Sequence, residues 1–262
     1  MSTQKIQNTK IAGIPAVIAG ADTDEGFLFI HGKMGCKEEV LDFAERAVPK
    51  GFQVAGIDLP EHGSRKNEAE KLVPWTAVPE IRAIYKDLSA RWKKVHVRAN
   101  SIGTLFSMYA LQNEQPGKTL FVSPLVDMEQ LILGMMAQSG VTETMLEQKG
   151  EIETDFEETL SWKYLSWIRS NPLVWNRPSE ILYGTNDNLT ARNTIEQFCA
   201  KNACRLTTVE NGEHWFHTEE QLKALHDWEE RELKRYKAPP YSSITYFPVL
   251  KTMRFFSSSK NS

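Results

Sequence analysis

Three side chains of this sequence could act together as a catalytic triad: Ser101, Asp187 and His214. A serine hydroxyl is a poor nucleophile at neutral pH and needs an adjacent base to take its proton. A histidine can be that base, and a carboxylate can fix the tautomer of the imidazole and stabilise the imidazolium ion. The chain order Ser, Asp, His is one of the orders in which this triad occurs. These residue types therefore predict hydrolysis through an acyl-enzyme.

The residues around Ser101 fit a nucleophile elbow, the sharp strand-to-helix turn that lifts a serine hydroxyl above a sheet. The run ANSIG occupies 99–103, between a predicted strand at 94–99 and a predicted helix at 101–111. This turn crowds the backbone two positions before and after the serine, so only small residues fit there. Ala99 stands where the usual pattern has its first glycine. Taken alone, the run fits a helix-capping serine equally well, so the interpretation depends on the residues at the ends of the other strands.

The predicted secondary structure brings the three side chains to one edge of a sheet. Short β-rich runs alternate with helical patterns, a rhythm that predicts a parallel sheet with helices on both faces. The predicted strands are 14–18, 27–30, 52–57, 94–99, 119–122, 180–183 and 205–209, and the predicted helices are 38–48, 78–92, 101–111, 191–200 and 218–236. Ligands of such sheets lie beyond the carboxyl ends of the strands. Each triad candidate comes just after a strand, so the three are expected to meet there.

Two further loops complete a pattern that resembles a known superfamily. The run HGKMG at 31–35 and the run DLPEHG at 58–63 each come directly after a predicted strand. Together with the elbow and the loops that carry the aspartate and the histidine, they resemble the α/β-hydrolase superfamily, with Glu61 in place of a usual glycine. The first loop also resembles small bacterial carboxylesterases, including the cinnamoyl and feruloyl esterase group. The resemblance covers residues 10–236 apart from one insertion.

The resemblance implies an α/β-hydrolase fold, with a mostly parallel sheet of about eight strands, helices on both faces and a helical cap insertion. It also implies that the backbone N–H groups of Lys33 and Ile102 form the oxyanion hole. Because the Lys33 donor belongs to the main chain, its side chain is free to vary. The Lys33 ammonium group could attract an anionic substrate or could simply be solvated.

The rhythm of strands and helices divides the chain into four parts. Residues 1–124 and 179–236 are predicted to form the two parts of the hydrolase core. Residues 125–178 contain helical pieces and an acidic stretch but no strand pattern, and they occupy the place where the superfamily carries its cap. Residues 237–262 form a C-terminal tail that could be disordered, pack over the core or contact another subunit.

Four apolar side chains are the candidate substrate contacts: Met34, Trp162, Trp167 and Trp215. Methionine and aromatic residues suit a hydrophobic acyl or aryl group, so those in the insertion could line a pocket under the cap. The same residues could instead only pack the insertion against the sheet. The acidic run between 151 and 158 is expected to be a solvated face, because carboxylates without partners avoid burial.

Other residues compete for the roles of base and acid. His217 lies three positions after His214 and is the rival base, but His214 comes directly after the turn at 211–213, where the superfamily places its base. Asp127 also comes after a strand and is the rival acid. Asp187 is preferred because it lies after a strand and a glycine in the pattern G-x-x-D.

Composition excludes several other classes of protein. The formal net charge is −3 and the pI is near 6.1, which argues against nucleic acid as a partner, since phosphate binding needs a basic face. No apolar run is long enough for a transmembrane helix, and residues 1–10 lack the apolar core of a secretory signal.

An odd number of cysteines without a CxxC pair, at Cys36, Cys199 and Cys204, favours free thiols and a reducing cytoplasm over disulfides. Neither a metal-ligand pattern nor a nucleotide-binding motif is present, so neither a metal nor a cofactor is expected.

The sequence therefore predicts a cytoplasmic serine hydrolase, monomeric or homodimeric, that cleaves a small to medium carboxylic ester with an apolar part. A thioesterase, a lactonase, an amidase or a C–C bond hydrolase could use the same triad. Epoxide and haloalkane hydrolases are disfavoured, because their mechanisms need an aspartate at position 101. A non-catalytic binding protein on the same fold is a further alternative, against which the intact triad argues.

Overall fold

A computed structural model describes residues 5–156 and 158–237 of the chain. The predicted tail at 237–262 therefore lies outside the described residues except for its first residue, Lys237. The strands are β1 (Ile6–Ile11), β2 (Ile14–Ala19), β3 (Glu25–Ile30), β4 (Gln53–Ile57), β5 (Lys94–Asn100), β6 (Thr119–Val122), β7 (Glu151–Glu153), β8 (Thr159–Ser161), β9 (Glu180–Gly184) and β10 (Arg205–Val209). The helices are α1 (Val40–Ala47), α2 (Pro74–Arg91), α3 (Ile102–Leu111), α4 (Met128–Gln138), α5 (Glu143–Lys149), α6 (Trp162–Ser170), α7 (Arg192–Asn202) and α8 (Glu219–Lys237).

Eight of these strands form one sheet in the order β1-β2-β4-β3-β5-β6-β9-β10. The β1–β2 and β2–β4 pairs are antiparallel, and the other pairs are parallel. Strands β3, β4 and β6 are buried almost throughout, as expected for parallel strands covered by helices on both faces. The predicted architecture, a mostly parallel sheet of about eight strands between helices, is confirmed.

The first predicted strand is the second strand of a hairpin. Residues Ile6–Ile11 pair with Ile14–Ala19 in antiparallel register. The two residues between them, Ala12 and Gly13, both have positive φ angles, of 50° and 84°. Two consecutive positive φ values make the tight turn whose twist matches that of the flanking strands.

Helix α2 begins at Pro74, four residues before the start that the apolar spacing predicts. The preceding Val73 is extended, and proline at the first position of a helix has no N–H to leave without an acceptor. The predicted start at 78 was therefore wrong. The first turn of the helix is marked in the sequence by Pro74 and not by apolar periodicity.

The insertion at 125–178 contains α4, α5, α6 and a small hairpin of β7 and β8. The expectation of no strand in this segment was wrong. The two strands are three residues long and pair from Glu151–Ser161 to Glu153–Thr159. Strands this short and polar leave no recognisable alternation of apolar and polar residues in the sequence.

Apolar cores lie on the two faces of the sheet. One contains side chains of α2, α3 and α7 together with the insertion, whose Leu146, Leu160, Leu165, Ile168 and Trp175 are buried in it. The other joins the sheet to α1 and α8. The insertion thus packs on the same face of the sheet as α3, the helix that begins just after Ser101. No helix in residues 5–156 and 158–237 is long and apolar enough to cross a membrane.

Candidate active site

Ser101 occupies a strained turn between β5 and α3. Its φ and ψ angles are 48° and −122°, a combination that non-glycine residues rarely adopt. A glycine is needed two positions later, at Gly103. A Cβ on this residue would collide with the carbonyl oxygen of His31 and would lie 2.9 Å from the carbonyl oxygen of Ile30. The preceding Ala99 is fully buried. The backbone therefore has the geometry of a nucleophile elbow, with small residues where the turn needs them.

The structure brings the three predicted triad residues together. The Ser101 hydroxyl lies 2.7 Å from Nε2 of His214, and Nδ1 of His214 lies 2.8 Å from Oδ2 of Asp187. With Nδ1 protonated and donating to the carboxylate, Nε2 is left to accept the serine proton. Both distances are within hydrogen-bond reach, and the first joins the two atoms between which the serine proton would pass.

The Asp187 carboxylate is fully buried and has a partner at each oxygen. Its Oδ1 accepts hydrogen bonds from the backbone amides of Leu189 at 2.8 Å and Thr190 at 3.0 Å. Its Oδ2 accepts from His214. Because both oxygens are held, the carboxylate can turn neither away from the imidazole nor toward solvent.

Main-chain hydrogen bonds tie the loops after β9 and β10 together. The Asn186 amide donates to the Gly212 carbonyl at 2.7 Å, and the Thr185 amide donates to the Val209 carbonyl at 3.0 Å. The Asn211 amide donates to the Thr185 hydroxyl at 2.8 Å. These bonds hold the loop that carries the carboxylate against the loop that carries the imidazole.

The rival base and the rival acid have other partners. The imidazole of His217 lies 2.9 Å from the carbonyl oxygen of Trp215 and 3.2 Å from the Glu213 carboxylate, on the exposed side of the loop. The Asp127 side chain caps α4 by accepting a hydrogen bond from the Gln130 amide at 2.9 Å. Neither side chain takes part in the hydrogen-bond chain that reaches Ser101.

Ile102, one predicted oxyanion donor, directly follows Ser101, and the residue before Lys33, the other predicted donor, lies next to the serine. Ile102 is the first residue of α3, where helical geometry leaves its N–H without an intrahelical acceptor. On the other side, a Cβ added to Gly32 would lie 3.2 Å from the Cβ of Ser101, so the backbone leading to Lys33 passes directly beside the serine. Among the described residues, no group accepts a hydrogen bond from the amide of Lys33 or of Ile102.

Two histidines hold the loop that contains Lys33. His31 is buried; its Nδ1 donates to the Gly32 carbonyl at 2.6 Å and its Nε2 accepts from the Leu59 amide at 3.1 Å. Burial lowers the pKa of His31 to about 4, which keeps it neutral and able to accept that bond. His62 accepts from the Met34 amide at 2.9 Å. The loop therefore has a fixed path beside the serine.

The loop is anchored further by a buried carboxylate, Asp58. It accepts hydrogen bonds from the backbone amides of Lys37 at 2.8 Å and Ser64 at 2.9 Å, and the Lys37 ammonium lies 3.1 Å away. These bonds hold the pKa of Asp58 below its ordinary value in spite of its burial. The loops after β3 and β4 are thereby joined through one ionised group.

The candidate substrate contacts fall into two groups. Met34 and Trp215 are 88% and 73% exposed and follow Lys33 and His214 in the chain, and the Trp215 ring stacks on the His217 ring with centroids 4.7 Å apart. The other two lie on α6: Trp167 packs edge-on against Tyr109, with ring centroids 5.1 Å apart, and Trp162 lines the same open groove of the insertion as Trp167. The substrate contacts of all four side chains stay predictions.

One contact at the site was not predicted. The Lys33 ammonium forms an ion pair with the Glu158 carboxylate on the insertion. The Glu158 carboxylate is exposed, as expected for a solvated face, but the sequence did not predict that it pairs with the Lys33 ammonium, which is itself about half exposed. The sequence signal was slight, since two oppositely charged residues 125 positions apart have no local pattern.

Comparisons with known proteins give the fold. No protein-family model matches the chain, and no curated protein matches it in sequence. Est1E from Butyrivibrio proteoclasticus, solved with ferulic acid bound, is 16% identical with a TM-score of 0.69, covering 87% of this chain and 98% of that one. Alpha/beta hydrolase domain-containing protein 10 from mouse is 14% identical with a TM-score of 0.66, covering 90% and 100%. The thioesterase domain from the curacin biosynthetic pathway is 13% identical with a TM-score of 0.53, covering 87% and 99%.

These similarities show that the chain has the α/β-hydrolase fold, as its motifs predict. The fold accounts for the position of Ser101 at the carboxyl end of β5 and of the other two residues after β9 and β10. Within residues 5–156 and 158–237, no group of three or more His, Cys, Asp or Glu side chains could hold a metal ion.

Proposed function

We propose that this protein is a serine hydrolase that cleaves carboxylic esters through an acyl-enzyme on Ser101. One observation carries the proposal. The 2.7 Å contact of Ser101 with His214 and the 2.8 Å contact of His214 with Asp187 occur on a strained strand-to-helix turn. A helix-capping serine would need neither the strain nor the imidazole. Backbone strain of this kind persists where function requires it.

The proposed reaction has two steps. Ser101 Oγ attacks the ester carbonyl carbon while His214 Nε2 takes its proton, and the tetrahedral oxyanion accepts hydrogen bonds from the Lys33 and Ile102 amides. His214 then gives the proton to the leaving alcohol. A water molecule, deprotonated by the same imidazole, attacks the acyl-enzyme and releases the carboxylic acid, and the proton returns to the serine. Asp187 stabilises the imidazolium ion in both steps.

The surroundings of the site favour an uncharged, apolar acyl or alcohol group. Exposed Met34 and Trp215 adjoin the oxyanion loop and the base, and both side chains suit apolar or aromatic groups. The ammonium group of Lys33 is paired with Glu158, which weakens its attraction for a substrate carboxylate. The substrate we propose is a small to medium ester with an apolar part.

We propose further that the insertion at 125–178 is a cap, which its burial against the same face of the sheet as α3 supports. A thioester is the second candidate substrate, because a thioesterase domain is among the proteins of similar fold. The cytoplasmic location and the oligomeric state stay predictions.

A fluorophosphonate probe tests the proposed nucleophile. Wild-type protein should take up one label per chain, Ser101→Ala should take up none, and Ser139→Ala, at an exposed serine of the insertion, should label like wild type. Turnover should then be measured on aryl esters of graded acyl length, hydroxycinnamate esters and an acyl thioester. The proposal is wrong if wild type stays unlabelled or Ser101→Ala labels equally. Turnover of the thioester alone would favour the second candidate.

A further inference from the structure

The ion pair between Lys33 and Glu158 joins the insertion to the oxyanion loop. Lys33 lies in the loop after β3, and Glu158 lies between β7 and β8, 125 positions later in the chain. The two side chains are 47% and 41% exposed. The pair therefore bridges two parts of the molecule at the surface, and its lysine directly follows Gly32, which lies next to Ser101.

The turn that carries Glu158 is held by one threonine. The Thr154 amide donates to the Glu158 carbonyl at 3.0 Å, and the Thr154 hydroxyl donates to the same carbonyl at 2.7 Å. The Glu158 amide lies 3.2 Å from the Thr154 hydroxyl oxygen, which accepts from it. These hydrogen bonds tie the main chain of Glu158, the residue whose carboxylate pairs with Lys33, to Thr154.

Lys33 is joined to the reaction through its main chain. Its amide is the proposed oxyanion donor from this loop, while its ammonium group is held by the insertion. The neighbouring Met34 has a φ angle of 68°, so the backbone changes direction just after Lys33. The ion pair therefore restrains the same residue whose N–H is proposed to point at the oxyanion.

We propose that Glu158 is a positioning residue that, through the Lys33 side chain, holds the Lys33 amide in its donor orientation. This inference rests on the proposed function. It assigns the insertion a part in transition-state stabilisation as well as in covering the site. Since the oxyanion exists only in the tetrahedral state, a poorly oriented donor lowers kcat and leaves KM nearly unchanged.

The expected effect is small. Removing an oxyanion donor outright costs about 100- to 1,000-fold in kcat. An exposed ion pair stabilises its arrangement weakly, so loss of the pair should lower kcat by only about two- to fivefold. A much larger loss would mean that the donor itself had been destroyed rather than released from its support.

Charge exchange is the decisive experiment. We would measure kcat and KM on one aryl ester for wild type, Glu158→Lys, Lys33→Glu and the double variant that exchanges the two charges. Each single variant should lose about two- to fivefold in kcat, and the double variant should recover most of it, because only the side-chain pairing has been rebuilt. A variant with no new charge, Glu158→Gln, should lose kcat as well. Glu143→Lys, which breaks the ion pair with Arg169 inside the insertion, is the matched control and should keep its kcat.

Salt gives a second readout. Raising the ionic strength from about 20 mM to about 500 mM screens an exposed pair, so the wild-type kcat should fall toward that of Glu158→Gln, whose own kcat should change little. If Glu158→Gln were slow because it folded poorly, the difference in kcat between wild type and this variant would not be expected to disappear at high salt.

The outcomes separate the possible explanations. If the double variant stays as slow as Lys33→Glu, the positive charge at position 33 acts on the oxyanion directly and the positioning role is overturned. Full kcat in Glu158→Lys, or a change confined to KM, overturns it too. An unlabelled and inactive wild type overturns the proposed function and this inference together, whereas a labelled, active wild type with an unaffected Glu158→Lys overturns only the inference.

Discussion

Gly184 and Gly212 pack main chain against main chain, with no space for a Cβ on Gly184 and little on Gly212. A Cβ on Gly212 would lie 3.0 Å from the Cα of Gly184, and a Cβ on Gly184 would collide with the carbonyl oxygen of Gly212. Gly184 ends β9, just before the loop that carries Asp187, and Gly212 lies in the loop that carries His214. The close approach of the two backbones therefore sets the distance over which the carboxylate reaches the imidazole.

Substituting Gly184 by alanine should separate these loops. The added methyl group meets main-chain atoms, which cannot give way as a flexible side chain can, so we expect kcat to fall at least about tenfold and the free energy of unfolding to fall by about 1–3 kcal/mol. Gly134→Ala in α4 is the control: nothing lies within 4 Å of its Cβ, and alanine favours a helix. Ester turnover and urea unfolding measure both effects. Unchanged kcat in Gly184→Ala would contradict the positioning role of this contact.

Asp187→Asn should leave the site assembled but largely inactive. The side chain of asparagine has one accepting oxygen and one NH₂ group in place of the two accepting oxygens of Asp187. The NH₂ group must therefore face either His214 or the backbone N–H groups of Leu189 and Thr190. The histidine is then held in the wrong tautomer, and a loss of about 10⁴ in kcat is expected by analogy with other triads. The matched control is Asp127→Asn, at the cap of α4, which should retain most of its activity. If these two variants were equally active, the acid would have been wrongly assigned.

The triad could be predicted because its signal is local. Ser101, Asp187 and His214 each come after a short β-rich strand, and parallel strands bring their carboxyl ends to one edge. The strain at Ser101 could be anticipated from Gly103, which admits the close approach of the backbone after β3.

Contacts between distant polar residues could not be predicted from the sequence. Glu158 sits beside two three-residue strands and within an acidic run, so neither apolar periodicity nor a turn motif marks it. Its partner is 125 positions away. The tryptophans of α6 show that residue type alone can also mislead. Their type suggested a pocket wall, but it does not say which neighbour each helix face contacts. Trp167 packs on Tyr109 of α3.

Stability should fall in acid because His31 is buried in its neutral form. Its pKa in the folded protein is lowered to about 4, whereas an unfolded histidine titrates near pH 6.5. Between these values the unfolded chain binds a proton that the folded chain does not, so the stabilisation present above pH 6.5 is lost as the pH falls toward 4. From pH 7 to pH 4.5 this contribution amounts to about 2–3 kcal/mol.

The variant His31→Asn tests that assignment, since asparagine cannot titrate. Its destabilisation relative to wild type, measured by urea unfolding, should be smaller at pH 4.5 than at pH 7 by about 2 kcal/mol. Gln53→Leu removes another buried polar side chain that does not titrate, and its cost should be the same at both pH values. Equal costs for His31→Asn at the two pH values would contradict the prediction.

Arg98 and Glu229 form a buried ion pair behind the nucleophile elbow, with 2% and 1% of each residue exposed. Arg98 Nε donates to Glu229 at 2.8 Å, and its guanidinium also donates to the Asn100 side chain at 2.5 Å, next to the serine. Arg46 donates to the second oxygen of Glu229 at 2.7 Å. Glu229→Leu therefore leaves two guanidinium groups without their shared carboxylate, and we expect it to lower the free energy of unfolding by about 3–5 kcal/mol.

The double variant Arg98→Met/Glu229→Leu should be more stable than Glu229→Leu alone by at least about 1 kcal/mol, because one of the uncompensated charges is removed with its partner. Urea unfolding of the wild type, both single variants and the double variant completes the cycle. Lys223→Leu, which breaks the exposed pair with Asp227, serves as the control and should leave stability unchanged. If the two single costs simply added in the double variant, Arg98 and Glu229 would not be coupled, and the prediction would be wrong.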